Sequence, residues 1–309
     1  MLASLFSKTR PFNYVLTGFF VISAFFLFQF TREKDFFTSE SLVEESAVFL
    51  LLIASFILVN FISLRNALTK NDNYAILLFL IFVLMFPGIL ENWRIVLSNF
   101  FLLLALRRLI SLRTLNSPKE KIFDASFWIF FSALFHFWSI AYIVLVFISI
   151  IFHSGKDYKN WLIPFISLFC VWILHIFFSL FFLGEYELHF QEMIQMSFDF
   201  TGHKTTYENM ALASYVSISV LFFASQILDY QNKPLNMQSS YKQIYFSFLL
   251  AIGIYALSKN KTNDMLIYSF APLAILGANM FEKLENNNFK EASIYILFAV
   301  GLGLFVLQL

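Results

Sequence analysis

The strongest constraint on this chain is one long apolar stretch, residues 122–153, which is interrupted only by Asp124 near one end and His136 in the middle before it ends at a histidine. A single helix of that length would measure about 48 Å. The hydrocarbon core of a bilayer is only about 30 Å thick. The stretch therefore predicts a broken helical hairpin, two short helices that enter and leave the membrane by the same face.

The composition indicates a membrane protein rather than a soluble one. Hydrophobic residues make up 59% of the chain, charged residues 13%, and the mean hydropathy is +0.73. Soluble domains are about one quarter charged. Because hydrocarbon forces every backbone group to be satisfied within a helix or a closed barrel, these continuous apolar runs predict an all-α transmembrane bundle.

Charge and cysteine content exclude several classes of function. A formal net charge of +1 argues against a nucleic-acid partner, and the single cysteine, Cys170, leaves no disulfide framework or thiolate metal site. We expect no cofactor and no metal.

The polytopic bundle should contain about ten or eleven segments within a single integral membrane domain, residues 1–309. Residues 184–208 form the longest outer loop. No internal repeat is visible, which disfavours a transporter built on inverted repeats. The predicted segments are 12–30, 45–64, 74–90, 95–110, 122–137, 138–153, 161–183, 209–228, 242–258, 265–281 and 291–308.

The distribution of Lys and Arg predicts a cytoplasmic N-terminus. With residues 122–153 counted as a hairpin, fifteen cations lie inside and six outside; with a single crossing the split falls to twelve against nine. The first apolar segment lacks a small-residue cleavage site and is interpreted as a retained anchor. Within the densest basic region, Ser117-Pro118-Lys119-Glu120 matches a capping box and predicts a helix start.

The segment Glu91-Asn92-Trp93-Arg94 is a candidate site. Only twelve residues separate Arg94 from Arg107, about 18 Å of helix, which is too short to cross the apolar core. We therefore expect Arg94 below the outer apolar boundary, facing the bundle interior and paired with Glu91. Pro87-Gly88 should break the preceding helix. A tight outer turn with the pair at the interface is the alternative.

Two outer loops carry further candidates. Carboxylates beside a membrane can act as a general base, and Glu33 and Asp35 in the first outer loop are the candidate positions, with a solvated charged loop as the alternative. His189, Glu192, Asp199 and His203 lie close together in the longest loop but lack a metal-binding spacing, and an interfacial helix is the simpler interpretation.

Two histidines lie inside apolar runs. We expect His136 to satisfy backbone groups freed at the break in the hairpin, with proton relay or substrate contact as the alternative. His175 is predicted to make an interhelical hydrogen bond.

Several stretches carry a resemblance: SLFSKTRPFNYVL, ENWRIVLSNFFLLLALRRLISLR, the region 119–153 and SFDFTGH. They resemble an uncharacterised family (a domain of unknown function) of polytopic inner-membrane proteins confined to the Bacteroidota. The resemblance implies a bacterial inner-membrane location and no particular activity. The broken-hairpin layout is also similar to that of membrane glycosyltransferases and polymerases that use polyprenyl-phosphate sugars.

Two classes of function remain open at this stage, with a transporter as a third. One is a lipid-carrier-dependent glycosyltransferase or polymerase-like enzyme of cell-envelope biogenesis. In it Arg94 would bind the carrier phosphate and Glu33, Asp35 or Glu91 would act as base. The other is a non-catalytic scaffold or partner subunit of an envelope, secretion or motility complex. Expected partners are therefore membrane lipids, a polyprenyl-phosphate-linked substrate, or other inner-membrane proteins.

Overall fold

The computed structural model describes residues 2–31, 39–70, 72–184, 195–198, 205–259 and 261–309. Within these ranges the chain is helical, and its only strand-like feature there is an isolated bridge between Met196 and Ser258. Twelve α-helices are described: α1 (Leu2–Phe6), α2 (Pro11–Thr31), α3 (Ser39–Arg65), α4 (Tyr74–Met85), α5 (Trp93–Ser111), α6 (Pro118–Ala133), α7 (Ile143–His153), α8 (Lys159–Phe178), α9 (Thr206–Leu228), α10 (Leu235–Leu257), α11 (Ile267–Lys283) and α12 (Asn287–Gln308).

Seven helical segments in the described ranges are long and apolar enough to cross a membrane. They are 11–31, 43–65, 93–114, 159–182, 206–228, 263–283 and 287–308. The protein is therefore a multi-pass integral membrane protein, and the predicted all-α bundle is confirmed.

The predicted hairpin is present. Helix α6 ends at Ala133, and a 3₁₀ segment, Phe137–Tyr142, leads into α7. The start of α6 and the segment that follows α7 lie side by side, since Lys119 Nζ is 3.3 Å from Asp157 Oδ2. The turn lies at the other end of the bundle, where the Phe135 ring is 6.1 Å from the ring of Trp93.

These contacts define two ends of the bundle. The basic end carries the connections 66–73, 112–117, 154–158, 229–234 and 284–286. They meet there: the backbone N–H of Lys70 donates to Glu282 Oε1 at 2.7 Å, and Lys283 pairs with Asp229. The distal end carries the connections 86–92, 134–136 and 258–262.

The interior is organised around two buried helices. All twelve residues of α4 are buried, and α11 packs against it with most of its residues buried. Lipid tails are as apolar as these side chains, so close packing rather than the hydrophobic effect must hold the helices together. An aromatic cluster does so across α4, α9 and α11: Phe82, Phe86, Tyr215 and Phe270 have ring centroids 5.3–5.8 Å apart.

Glycines allow the closest approaches to α4. A Cβ added at Gly277 in α11 would lie 2.7 Å from Leu78 Cδ1 and would overlap the ring of Phe222. A Cβ at Gly301 in α12 would lie 3.2 Å from Ile81 Cγ2. Small residues at such crossings let neighbouring backbones pack tightly in lipid.

The capping box predicted at Ser117–Glu120 gave the right helix start for the wrong reason. Helix α6 begins at Pro118 as expected, but the Ser117 side chain makes no capping hydrogen bond. Ser117 has φ 46°, a left-handed conformation in which it ends the preceding turn rather than caps the next helix.

Candidate functional site

The distal end is built on an interrupted helix. Helix α4 ends at Met85, and Pro87–Glu91 continues as a 3₁₀ turn, as the Pro87-Gly88 pair predicted. The turn ends at Asn92, whose side-chain oxygen accepts a hydrogen bond from Ile95 N at 3.4 Å and so caps α5. Glu91 and Arg94 therefore flank the N-terminus of a membrane helix.

The expectation that Arg94 faces the bundle interior is wrong. The side chain is exposed, and its guanidinium lies over the Trp93 ring, 5.5 Å from the centroid. Glu91 is exposed too. At the first turn of α5 the guanidinium lies against an aromatic face outside the bundle interior, which avoids the cost of burying a cation among the helices. The role of Arg94 in binding phosphate stays a prediction.

Trp93 links this turn to the helix that follows the first outer loop. Its indole Nε1 donates to Glu44 Oε1 at 3.0 Å. Glu33 and Asp35 themselves lie outside the described residues, as do His189, Glu192, Asp199 and His203. In the described ranges no group of three or more His, Cys, Asp and Glu side chains could hold a metal ion.

Asp264 is a carboxylate of this site that sequence reasoning missed. Its side chain faces those of Asn92 and Thr262 and lies near Glu208 at the start of α9. A Cβ on Gly88 would lie 2.6 Å from Asp264 Oδ1, so only glycine gives the carboxyl its place beside the turn. No pattern in the sequence singles it out, because an Asp before an apolar run resembles an ordinary helix start.

His136 occupies the tip of the hairpin. Its Nε2 is 3.4 Å from Ser258 Oγ, and its ring stacks on Tyr268 at 5.5 Å. Among the described residues its buried Nδ1 has no partner. The ring therefore contacts a hydroxyl and an aromatic face rather than the freed backbone groups that we expected.

Hydroxyl groups continue inward from this tip. Tyr268 donates to Ser98 Oγ at 3.0 Å, and Ser98 and Ser132 share a hydrogen bond of 2.7 Å. Ser132 in turn donates to Ser139 at 3.0 Å. All four side chains are buried, so this is a satisfied polar path between α5, α6, the hairpin and α11.

Part of the longest connection lies over the same tip. Ser197 N donates to Leu257 O at 3.4 Å, and Lys261 Nζ donates to the carbonyls of Ser197 and Ser258. Lys261 is 9% exposed. The distal end thus brings together the 87–94 turn, the hairpin tip, the 258–264 connection and the N-terminus of α9.

A second polar cluster lies at the basic end, and sequence reasoning took its lysine, Lys233, only for an orientation signal. Lys233 Nζ donates to Asn279 Oδ1 at 2.7 Å and lies 3.6 Å from Asp229 Oδ2. Tyr241 donates to the same Asn279 oxygen at 2.9 Å. Lys233 is 8% exposed and Asp229 13%.

The cluster shifts the pKa of Lys233 and the pKa of Asp229. Burial lowers the pKa of Lys233, partly offset by Asp229. Burial alone would raise the pKa of Asp229, but hydrogen bonds from Lys283 and Asn232 bring it below its usual value. The cluster therefore persists as a buried ion pair near neutral pH.

Also at the basic end, the carboxyl groups of Asp72 and Glu282 lie together. Burial, followed by a hydrogen bond and repulsion from Glu282, raises the pKa of Asp72 to about 9. Asp72 is 4% exposed and accepts from Tyr74 N at 3.2 Å. We infer that Asp72 is protonated at neutral pH and donates to Glu282.

His175 lies in the last turn of α8, on the side of the bundle where the hairpin turns. It lines a cavity of about 260 Å³ between α6, the hairpin and α8, together with Leu134, Phe137, Val171 and Trp172. The cavity is apolar apart from the imidazole. Its lining includes none of the distal-end carboxylates.

No protein-family model, curated protein or solved structure matches the chain.

Proposed function

We propose that this protein is an enzyme of bacterial cell-envelope assembly that transfers a sugar from a polyprenyl-phosphate carrier at the distal end of the bundle. The observation that carries the proposal is the position of the Asp264 carboxyl, fitted against Gly88 beside the Glu91–Arg94 turn. A carboxylate held beside a turn that carries an arginine suits acid–base chemistry on a phosphate-linked substrate.

Each group has a chemical role in this proposal. Arg94 lies in the first turn of α5, where the helix N-terminus and the guanidinium both favour an anion such as the carrier phosphate. Asp264 or Glu91 removes the proton from the acceptor hydroxyl. Glu33 and Asp35 remain alternative bases in the preceding outer loop.

The proposed location is the bacterial inner membrane with the basic end in the cytoplasm. Fourteen of the fifteen cations assigned to the inner side by sequence belong to helix termini or connections of the basic end or to the turns next to them, and Lys242 lies about two turns into α10. This distribution supports a cytoplasmic N-terminus and an outward-facing distal end.

The test compares Arg94→Ala and Asp264→Asn with Arg65→Ala, which removes an exposed arginine at the basic end. Each variant replaces the native gene, and lipid-linked sugars are extracted and quantified by mass spectrometry. We expect the first two variants to accumulate the carrier-linked donor at normal protein abundance, and Arg65→Ala to match the wild type. Unchanged lipid-linked pools in both distal-end variants would refute the enzyme proposal.

A non-catalytic partner subunit is the second candidate, favoured by the surface of α8. This helix packs mainly on α6 and leaves large apolar side chains exposed, among them Phe165, Trp172 and Phe177. A photo-crosslinking residue at Trp172 should then give one discrete adduct with a second membrane protein. The same probe at Leu50, exposed on α3, should give none.

A further inference from the structure

A lateral groove opens on the outside of the bundle near the basic end. It lies between α9, α10 and the C-terminus of α7 and has a volume of about 440 Å³. Phe223, Ile227, Phe246 and Leu249 line its apolar part. Ile227 is 49% exposed and Leu249 48%, so the groove opens sideways, where the membrane lies.

Lys242 occupies the mouth of this groove. Its ammonium lies 5.4 Å from the ring centroid of Phe152 and 5.6 Å from that of Tyr230. No carboxylate pairs with it among the described residues, whereas Lys233 and Lys283 both contact Asp229. Lys242 is therefore a cation held between two aromatic faces with its charge available to an anion.

The dimensions of the groove suit a single alkyl chain. From Lys242 to Leu249 the lining extends seven residues along α10, about 10 Å toward the middle of the membrane. A single alkyl chain is thin enough to fit the observed volume.

We propose that the lateral groove binds one anionic phospholipid of the leaflet at the basic end, with an acyl chain along α10 and its phosphate on Lys242. The apolar lining accepts the chain, and the unpaired ammonium accepts the head group. Basic pockets between membrane helices on the cytoplasmic side characteristically hold anionic head groups. The inference does not depend on the proposed enzyme activity, which resides at the distal end.

Native mass spectrometry of the detergent-purified protein tests the site. Phosphatidylglycerol, phosphatidylcholine and inorganic phosphate are titrated separately into the wild type and into Lys242→Gln. Lys156→Gln, which removes an exposed lysine at the same end, is the matched control. Leu249→Trp fills the groove with a larger side chain at a half-exposed position.

We expect one tightly retained phosphatidylglycerol on the wild type, with an affinity about fivefold lower in Lys242→Gln, as removal of one interfacial lysine predicts. Lys156→Gln should bind like the wild type. Leu249→Trp should weaken phosphatidylglycerol and phosphatidylcholine alike, since both lose the space for a chain.

Several results would overturn the site. Equal loss of affinity in Lys242→Gln and Lys156→Gln would mean that the head group senses only the general charge of the basic end. Unchanged lipid binding in Leu249→Trp would place the lipid outside the groove. Inorganic phosphate binding at the affinity of phosphatidylglycerol would show that the acyl chain contributes nothing.

Discussion

Replacement of Gly277 by alanine should destabilise the bundle at its tightest crossing. The new Cβ would overlap the ring of Phe222 and lie 2.7 Å from Leu78 Cδ1. Phe222 is 3% exposed and packs against Phe281 at 5.9 Å, and Leu78 belongs to the fully buried α4. Neither side chain has free space into which it can move.

The magnitude follows from comparison with Gly253→Ala in α10. No atom lies within 4 Å of a Cβ at Gly253, so that variant gains only the helix propensity of alanine, about 1 kcal/mol. Gly277→Ala gains the same propensity but pays for overpacking, typically about 1 to 3 kcal/mol. We therefore expect the free energy of unfolding of Gly277→Ala to fall below that of Gly253→Ala by about 1 to 3 kcal/mol.

Equilibrium unfolding by SDS titration in mixed micelles, followed by tryptophan fluorescence, measures both variants. Adding Phe222→Leu to Gly277→Ala should restore part of the loss, because the smaller side chain vacates the space that the new methyl group needs. Equal stability of the two glycine variants, or no coupling between residues 222 and 277, would refute the packing argument.

The basic-end clusters give two further predictions. Because the raised pKa of Asp72 keeps its carboxyl protonated in the folded state, stability should fall as pH rises from about 4 toward 9. Asp72→Asn should flatten that fall when SDS unfolding is repeated from pH 5 to 9; an unchanged slope would contradict the shared proton with Glu282. Lys233→Ala leaves Asp229 with only one of its two lysine partners and should cost about 3 kcal/mol, whereas Lys156→Ala should cost almost nothing. Similar losses in both variants would show that the buried pair contributes nothing beyond a surface charge.

The parts of the fold that sequence reasoning predicted are those set by the bilayer itself. A 30 Å hydrocarbon layer cannot accommodate residues 122–153 as one span, so the hairpin followed from length alone. The break at Pro87-Gly88 followed from the loss of a backbone donor at proline. The length of an apolar run and the position of a proline can both be read from one stretch of sequence, without knowledge of the packing.

The error over Arg94 came from treating charged side chains as fixed boundaries. Helix α5 has 19 residues, about 28 Å, and so reaches across most of the layer once its terminal arginines extend toward water. The distance from Arg94 to Arg107 was too short only because the Arg94 side chain was counted at its backbone position.

The missed site residues are those brought together from distant segments. Asp264 meets Gly88, and Lys233 meets Asn279, across helices that no periodicity relates. Each residue alone has an ordinary sequence explanation, a helix start or a positive-inside charge. Only the packing of α11 against its neighbours turns them into buried polar clusters.

We propose that the two termini of the hairpin lie at one end of the bundle, inside the cell, while the candidate site faces outward. Single cysteines at Glu120, Lys156 and Lys259, all exposed, in a Cys170→Ser background test it directly. In spheroplasts treated with a membrane-impermeant maleimide, we predict labelling at position 259 alone, with positions 120 and 156 labelled only after permeabilisation. Opposite accessibility of positions 120 and 156 would contradict the hairpin, and labelling of both from outside with position 259 protected would contradict the orientation.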